Sequence, residues 1–198
     1  MSTLKLPLPR QMEKYHLTEL LRQRRSIRNY SLKPLDLNEI SDLLWCCDGK
    51  TADWGGRTAP SAGATYPLDI YLVAGNVTGL ASGLYSYHWQ THSLTQIKPG
   101  DWRKQLAESS YNQKMLREAP VTIVIAATAP RTTSRYGERG YRYIYMEAGH
   151  CGQNIHLACV SLHLATVMVG AFDDARVKNC LGLQQDILYL CPVGHPLT

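Results

Sequence analysis

Residues 121–129 read Val-Thr-Ile-Val-Ile-Ala-Ala-Thr-Ala, a continuous β-branched and apolar run. A strand with one wet face alternates, so this run predicts a central strand covered on both sides. The apolar positions after Tyr141 repeat differently. Ile144, Ala148, Cys151, Ile155, Ala158 and Leu162 step by four, three, four, three and four. That period predicts a long helix over 141–164 with one buried face. Small residues at 148, 149, 152 and 158 would let a second helix approach it closely.

Asp36 and Glu39 form a D-x-x-E box before Ile-Ser-Asp-Leu-Leu-Trp-Cys-Cys, and Gly49 is the natural stop; the pattern predicts a sharply delimited helix. Shorter helices are expected from Thr18 to about Arg24, from Asp101 to Glu108, and over 174–183. Strands are expected at 68–75, 165–172 and 187–196, with a hairpin turning around Gln90–His92. Residues 50–67 are a Gly/Ala/Pro/Thr-rich loop, and 130–140 a polar, basic connection. Helices and strands mix without regular βαβ alternation, which predicts an α+β sheet wrapped by helices. The expected organisation is an extended arm over 1–16 and a single domain over 17–198.

The chain has 198 residues, 44% hydrophobic and 19% charged, enough to build a sizeable core. A net charge of +5, scattered along the chain, favours anionic ligands but is too weak to indicate nucleic acid. No run approaches the roughly 18 apolar residues of a membrane span. The N-terminus lacks the apolar core of a secretory signal. Six cysteines without a C-x-x-C pair suggest a reduced, cytoplasmic protein.

Neither G-x-G-x-x-G nor GxxxxGK[ST] occurs, so any nucleotide must be gripped in another way. Arg24, Ser26 and Arg28 offer two guanidinium forks and a hydroxyl on alternate residues, a set suited to phosphate oxygens. The competing reading is a helix end whose arginines answer the dipole. Ala-Pro-Ser-Ala-Gly-Ala-Thr-Tyr-Pro (59–67) and Val-Gly-Ala-Phe-Asp-Asp (169–174) present small side chains, so their backbone can approach a flat ligand. His156, Cys159 and His163 share a face at i, i+3 and i+7, but core packing is the simpler reading and no metal is expected. Arg135, Arg139 and Arg142 either guide an anionic substrate or pair with Glu138 and Glu147. Cys46-Cys47 is a redox pair or, more simply, buried.

The segments LRQRRSIRNY, LLWCCDG, RTAPSAGATYPLDIYLV, GLYSYHWQTHSL, YGERGYRYIYMEAGHCGQNIHLA, VGAFDD and LYLCPVGHP occur in this order. From about residue 17 to 196 the chain resembles the flavin-dependent nitroreductase superfamily, within it the SagB-type branch that includes thiazole-forming dehydrogenases. The resemblance implies a nitroreductase-like α+β fold, a central mixed or antiparallel sheet wrapped by helices, and an interlocked homodimer with FMN at the subunit interface. It implies that Arg24, Ser26 and Arg28 hold the FMN phosphate and ribityl chain. Pro60, Ser61, Ala62 and Gly63 would reach FMN from the other subunit, and Gly170 and Ala171 would approach the ring near N5.

NAD(P)H is the implied electron donor, and a nitroaromatic or quinone-like small molecule the implied acceptor, with Tyr66, Arg139 and Arg142 as substrate contacts. Hydride chemistry at the flavin needs no protein nucleophile, so no catalytic residue is assigned. The alternatives are a dehydrogenase that oxidises an azoline-type ring in a peptide or metabolite, and a flavin-binding protein without turnover. Two departures stand out. Ala64 and Tyr66 replace the Asn and Gln of the family's loop. Arg135-Tyr136 stands nearest the Lys-Tyr pair of azoline-oxidising members, and arginine is a poor proton acceptor.

Overall fold

The computed structural model describes residues 3–10 and 16–197; residues 1, 2, 11–15 and 198, parts of the expected arm and domain, lie outside it. The apolar run becomes β5 (Val121–Ala127), every residue of which is buried. It pairs antiparallel with β2 (Leu68–Ala74) on one side and β7 (Asp186–Gly194) on the other. The period of two sends Val121, Ile123, Ile125 and Ala127 into one core and Val124 and Ala126 into a second. The first core also receives Leu43, Leu44 and Cys47 of α2 (Leu37–Asp48) and Ile144, Ala148, Cys151 and Ile155 of α6 (Arg139–Ser161). The second takes Leu106 of α3 (Arg103–Glu108), Leu116 of α4 (Lys114–Glu118) and Val177 of α7 (Asp174–Leu181).

The hairpin of β3 (Gly83–His88) and β4 (Ser93–Pro99) extends the sheet beyond β2, and β1 (Thr3–Lys5) adds an outer strand. β6 (Ala165–Thr166) closes the other edge, giving the order β1-β4-β3-β2-β5-β7-β6, antiparallel at every pairing. The expected α+β architecture is therefore present, with both sheet faces covered. No helix among the described residues is long and apolar enough to cross a membrane.

Asp36 caps α2 as its box predicts. Its carboxylate accepts the N–H of Asn38 and Glu39, and Glu39 accepts the N–H of Asp36 in return. Asp36→Ala should lower stability by about 1 kcal/mol, read as an earlier urea midpoint with an unchanged slope.

Three expectations need correction. The long helix starts at Arg139 and stops at Ser161, and His163 beyond it is left-handed at φ 55°. The strand expected over 165–172 shrinks to β6. Val169 pairs again with Leu190 in the same register, but the chain between breaks the ladder. The polar connection at 130–140 contains α5 (Pro130–Tyr136), started by a proline at its first turn. Only Thr132 of α5 is buried, so the segment shows no apolar period.

Candidate functional site

α1 (Leu17–Gln23) ends where Arg24 leaves the helical region at φ −51°, ψ 122°. The chain is then pinned to the sheet edge. Ile27 N–H donates to the Thr166 carbonyl at 3.0 Å, and the Tyr30 hydroxyl donates to the carbonyls of Ile27 and Pro192 at 3.0 and 3.1 Å. Ile27 and Tyr30 turn into the second core, which leaves Ser26 and Arg28 exposed and Arg24 half-buried.

Arg25 curls back onto the carbonyls of Arg22 and Arg24, both at 2.7 Å, and so does the work of a helix-end arginine. Arg24, Ser26 and Arg28 make no side-chain hydrogen bond or ion pair among the described residues. Burial, with the charge of Arg24, holds the pKa of His156 below its ordinary value. Behind the segment a cleft of about 230 Å³ opens toward α6, lined by Arg25, Ile27, His156, Cys159 and Thr166.

The second segment turns sharply at Ala62–Ala64. The Ser61 hydroxyl precedes this turn and accepts the N–H of Tyr66 at 2.9 Å. Gly63 has φ 59°, and a Cβ there would lie 2.3 Å from the Tyr136 hydroxyl and 2.8 Å from Arg135. Glycine meets both constraints without strain, whereas a larger residue would have to push the ends of those two side chains aside. Arg135 Nη1 donates to the Gly63 carbonyl at 3.0 Å, so the Arg135-Tyr136 pair sits directly against the loop. Tyr66 turns inward, its ring 4.3 Å from the guanidinium of Arg57, whose other side faces Trp89 at 4.1 Å.

Arg57 is ion-paired to Asp48 with both side chains buried. Burial outweighs that pairing and pushes Asp48 up to about 6. Glu147 is 2% exposed and lies against Ser61, Asp48 and Arg57; burial pushes it up to about 7.

The third segment follows Val169. Gly170 and Ala171 are exposed, while Phe172 is buried and Asp173 caps α7. The Ala171 carbonyl accepts from Gln113 Nε2 at 2.6 Å. A Cβ at Gly170 would meet only Tyr189 at 3.7 Å, so packing within the chain does not require the bare backbone there.

The Ile27–Thr166 bond places the Arg24–Arg28 segment on the same sheet edge as Gly170 and Ala171. The 60–63 loop is tied elsewhere, by Asn154 Nδ2 donating to the Thr58 carbonyl at 3.4 Å and by Glu147 under Ser61. Glu147 and His156 are nine residues apart on α6, about 13 Å along its axis. No hydrogen bond or ion pair among the described residues joins the loop to either of the other segments.

Arg139 and Arg142 are exposed at the start of α6. Glu147, considered above as their ion-pair partner, points the other way. Its position was legible, since it falls three residues after Ile144 and four before Cys151, on the apolar stripe. Asp48, Arg57 and Trp89 carried no comparable signal. His156, Cys159 and His163 still line one cleft, although the helix ends at Ser161 and His163 lies beyond it.

The profile of the Nitroreductase family matches residues 21–195. A Methanocaldococcus jannaschii protein named as a nitroreductase, MJ1384, is 41% identical over 195 residues, 98% of each chain. The trifolitoxin-processing protein TfxB of Rhizobium leguminosarum bv. trifolii is 30% identical over 132 residues, 64% of this chain and 35% of that protein. A crystal structure from Ralstonia eutropha, also named as a nitroreductase, superposes with TM-score 0.87 at 25% identity, covering 99% of this chain and 90% of that one. With a family match over residues 21–195 and a relative 41% identical over 98% of each chain, the chain belongs to the nitroreductase family and is an oxidoreductase enzyme.

Proposed function

We propose that this oxidoreductase binds FMN and uses NAD(P)H to reduce small electron-poor acceptors of the nitroaromatic or quinone type. The observation that carries this reading is the contrast within one pentapeptide. Arg25 is satisfied by its own helix end, while Arg24, Ser26 and Arg28 are held in place by a buried neighbour and make no side-chain hydrogen bond or ion pair among the described residues. Guanidinium forks pre-positioned in this way suit the oxygens of a phosphate.

The residues present fit the cofactor. Gly170 and Ala171 expose backbone with free space above it, and Gly63 brings main chain to the loop surface where a larger residue would clash. When bound, FMN supplies the hydride chemistry, taking and giving a hydride at one ring position. The chain's own residues bind and orient. Arg24, Ser26 and Arg28 would hold the phosphate and ribityl end, Gly170 and Ala171 would donate backbone N–H toward the ring, and Pro60–Gly63 would cover it. The loop is anchored away from the other two segments, which supports a homodimer in which one chain's loop completes its partner's site. Exposed Tyr141, Tyr145 and Met146 on α6 support the same reading. All six cysteines are free thiols, which supports a reducing, cytoplasmic setting.

Protein purified without added cofactor is expected to be yellow, to bleach anaerobically with NADH or NADPH, and to regain its colour with a quinone or nitroaromatic. Colourless protein that takes up no FMN sinks the reading. Similarity to a trifolitoxin-processing protein supports a second reading, the azoline oxidation in a peptide that the SagB-type resemblance implies. Arg135 is bonded to the Gly63 carbonyl, and arginine is poorly suited to accept the proton that step releases. FMN that stays oxidised with either nicotinamide but bleaches with an azoline peptide would select this second reading.

A further inference from the structure

Beneath the 60–66 loop, three polar side chains meet and only Arg57 Nη1 and Asp48 Oδ2 are bonded to each other. Asp48 ends α2, Glu147 lies on α6, and the guanidinium of Arg57 serves both. Asp48 Oδ1, Glu147 Oε1 and Arg57 Nε are buried with no hydrogen-bond partner. The ring faces of Tyr66 and Trp89 close the guanidinium off from water. With both carboxyls ionised the cluster carries a net negative charge in a place that solvates charge poorly, and binding one proton removes it.

The surrounding groups do not offset that charge. Asp69, which faces Asp48, is ion-paired to Arg131 at 2.8 Å. Cys151, one turn along from Glu147, has its thiol held neutral by its bond to Cys47 and by burial. Tyr87, beside Asp48 and Arg57, is likewise kept neutral by burial.

We propose that Asp48 and Glu147 share one exchangeable proton, and that its presence sets the direction in which the Ser61 hydroxyl on the loop above donates. Ser61 Oγ already accepts the Tyr66 N–H. That leaves the hydroxyl one lone pair and one hydrogen. With Glu147 ionised, Ser61 donates its hydrogen inward to the carboxylate. With Glu147 protonated, the carboxyl donates to the remaining lone pair, and the Ser61 hydrogen turns outward to an acceptor on the open side of the loop. One proton is exchanged with water between the two states, and no bond to carbon or electron is moved. Burial places the exchange near neutrality, as the values of about 6 for Asp48 and about 7 for Glu147 indicate.

The consequence for a ligand rests on the FMN reading: a carbonyl or phosphate oxygen held by Ser61 is held better below neutrality than above it. The proton itself does not depend on that reading, so the test separates them. Cofactor-free protein labelled with ¹³C in the Glu carboxyl and ¹⁵N in the backbone is titrated by NMR from about pH 5 to about pH 9. One Glu carboxyl should titrate near neutrality and be missing in Glu147→Gln. The Tyr66 amide should follow the same midpoint in the parent and stay flat in both Glu147→Gln and Ser61→Ala.

A parent Tyr66 amide that does not move, or a Glu147 carboxyl ionised throughout, overturns the proposal without any variant. The FMN dissociation constant should then rise about three- to tenfold across the same pH range in the parent, the loss of one hydrogen bond, and stay level in Ser61→Ala. A titrating amide in protein that binds no FMN refutes the flavin reading and upholds the proton. Bound FMN with a flat amide does the reverse.

Discussion

If FMN is the ligand, replacing Arg24 and Arg28 together by alanine should weaken its binding by about 3–6 kcal/mol, because each guanidinium would contribute roughly 1.5–3 kcal/mol through charged hydrogen bonds. That is a loss of roughly a hundredfold to ten-thousandfold, large enough for the protein to purify without colour. Neither side chain makes a hydrogen bond or ion pair among the described residues, so their removal strands no bonded polar partner. Arg25→Ala is the control. Its guanidinium is committed to the carbonyls of Arg22 and Arg24, and this variant should bind FMN nearly as the parent does. Flavin fluorescence titration distinguishes the three proteins. Equal affinity in the double variant and the parent would remove the phosphate clamp, and a larger loss in Arg25→Ala than in the double variant would reassign it.

How much of this was readable in advance follows from what each signal depends on. β5 and α2 were legible because their causes are local: a run of apolar β-branched residues, and a capping box with a glycine stop. The same run could not reveal the direction of its neighbours, since an antiparallel strand buried on both faces reads like a parallel one. α5 was hidden because it buries only Thr132 and so has no apolar period. Arg24, Ser26 and Arg28 were legible as types in a pattern, but only the fold shows that Arg25 is spent locally while those three make no side-chain hydrogen bond or ion pair among the described residues. Asp48 and Glu147 read as ordinary helical acids. Their meeting with Arg57 is made by tertiary packing, bringing α2, α6 and the loop to one point, and no spacing in the chain encodes it.

The same meeting should make Arg57→Met strongly destabilising. Methionine keeps an apolar stem between Tyr66 and Trp89, so the change chiefly removes the charge. Asp48 and Glu147 then face each other with no cation, and removing one partner of a buried pair costs about 3–5 kcal/mol. The pH dependence has a definite sign. Both carboxyls already titrate above their ordinary range in the parent, so the folded state keeps protons that the unfolded chain gives up. The contribution of these two carboxyls to stability therefore declines as pH rises from the ordinary carboxylate range to about 7 and levels off above it. Without Arg57, which pulls both values down, the folded pKa values climb further, so the decline is steeper and extends to higher pH. Urea midpoints measured at several pH values should converge between parent and variant in acid and diverge toward alkali. Asp48→Asn added to Arg57→Met should recover part of the alkaline loss by removing one of the two charges. Parallel curves offset by a constant amount would mean that Arg57 stabilises by packing alone and that the cluster holds no proton.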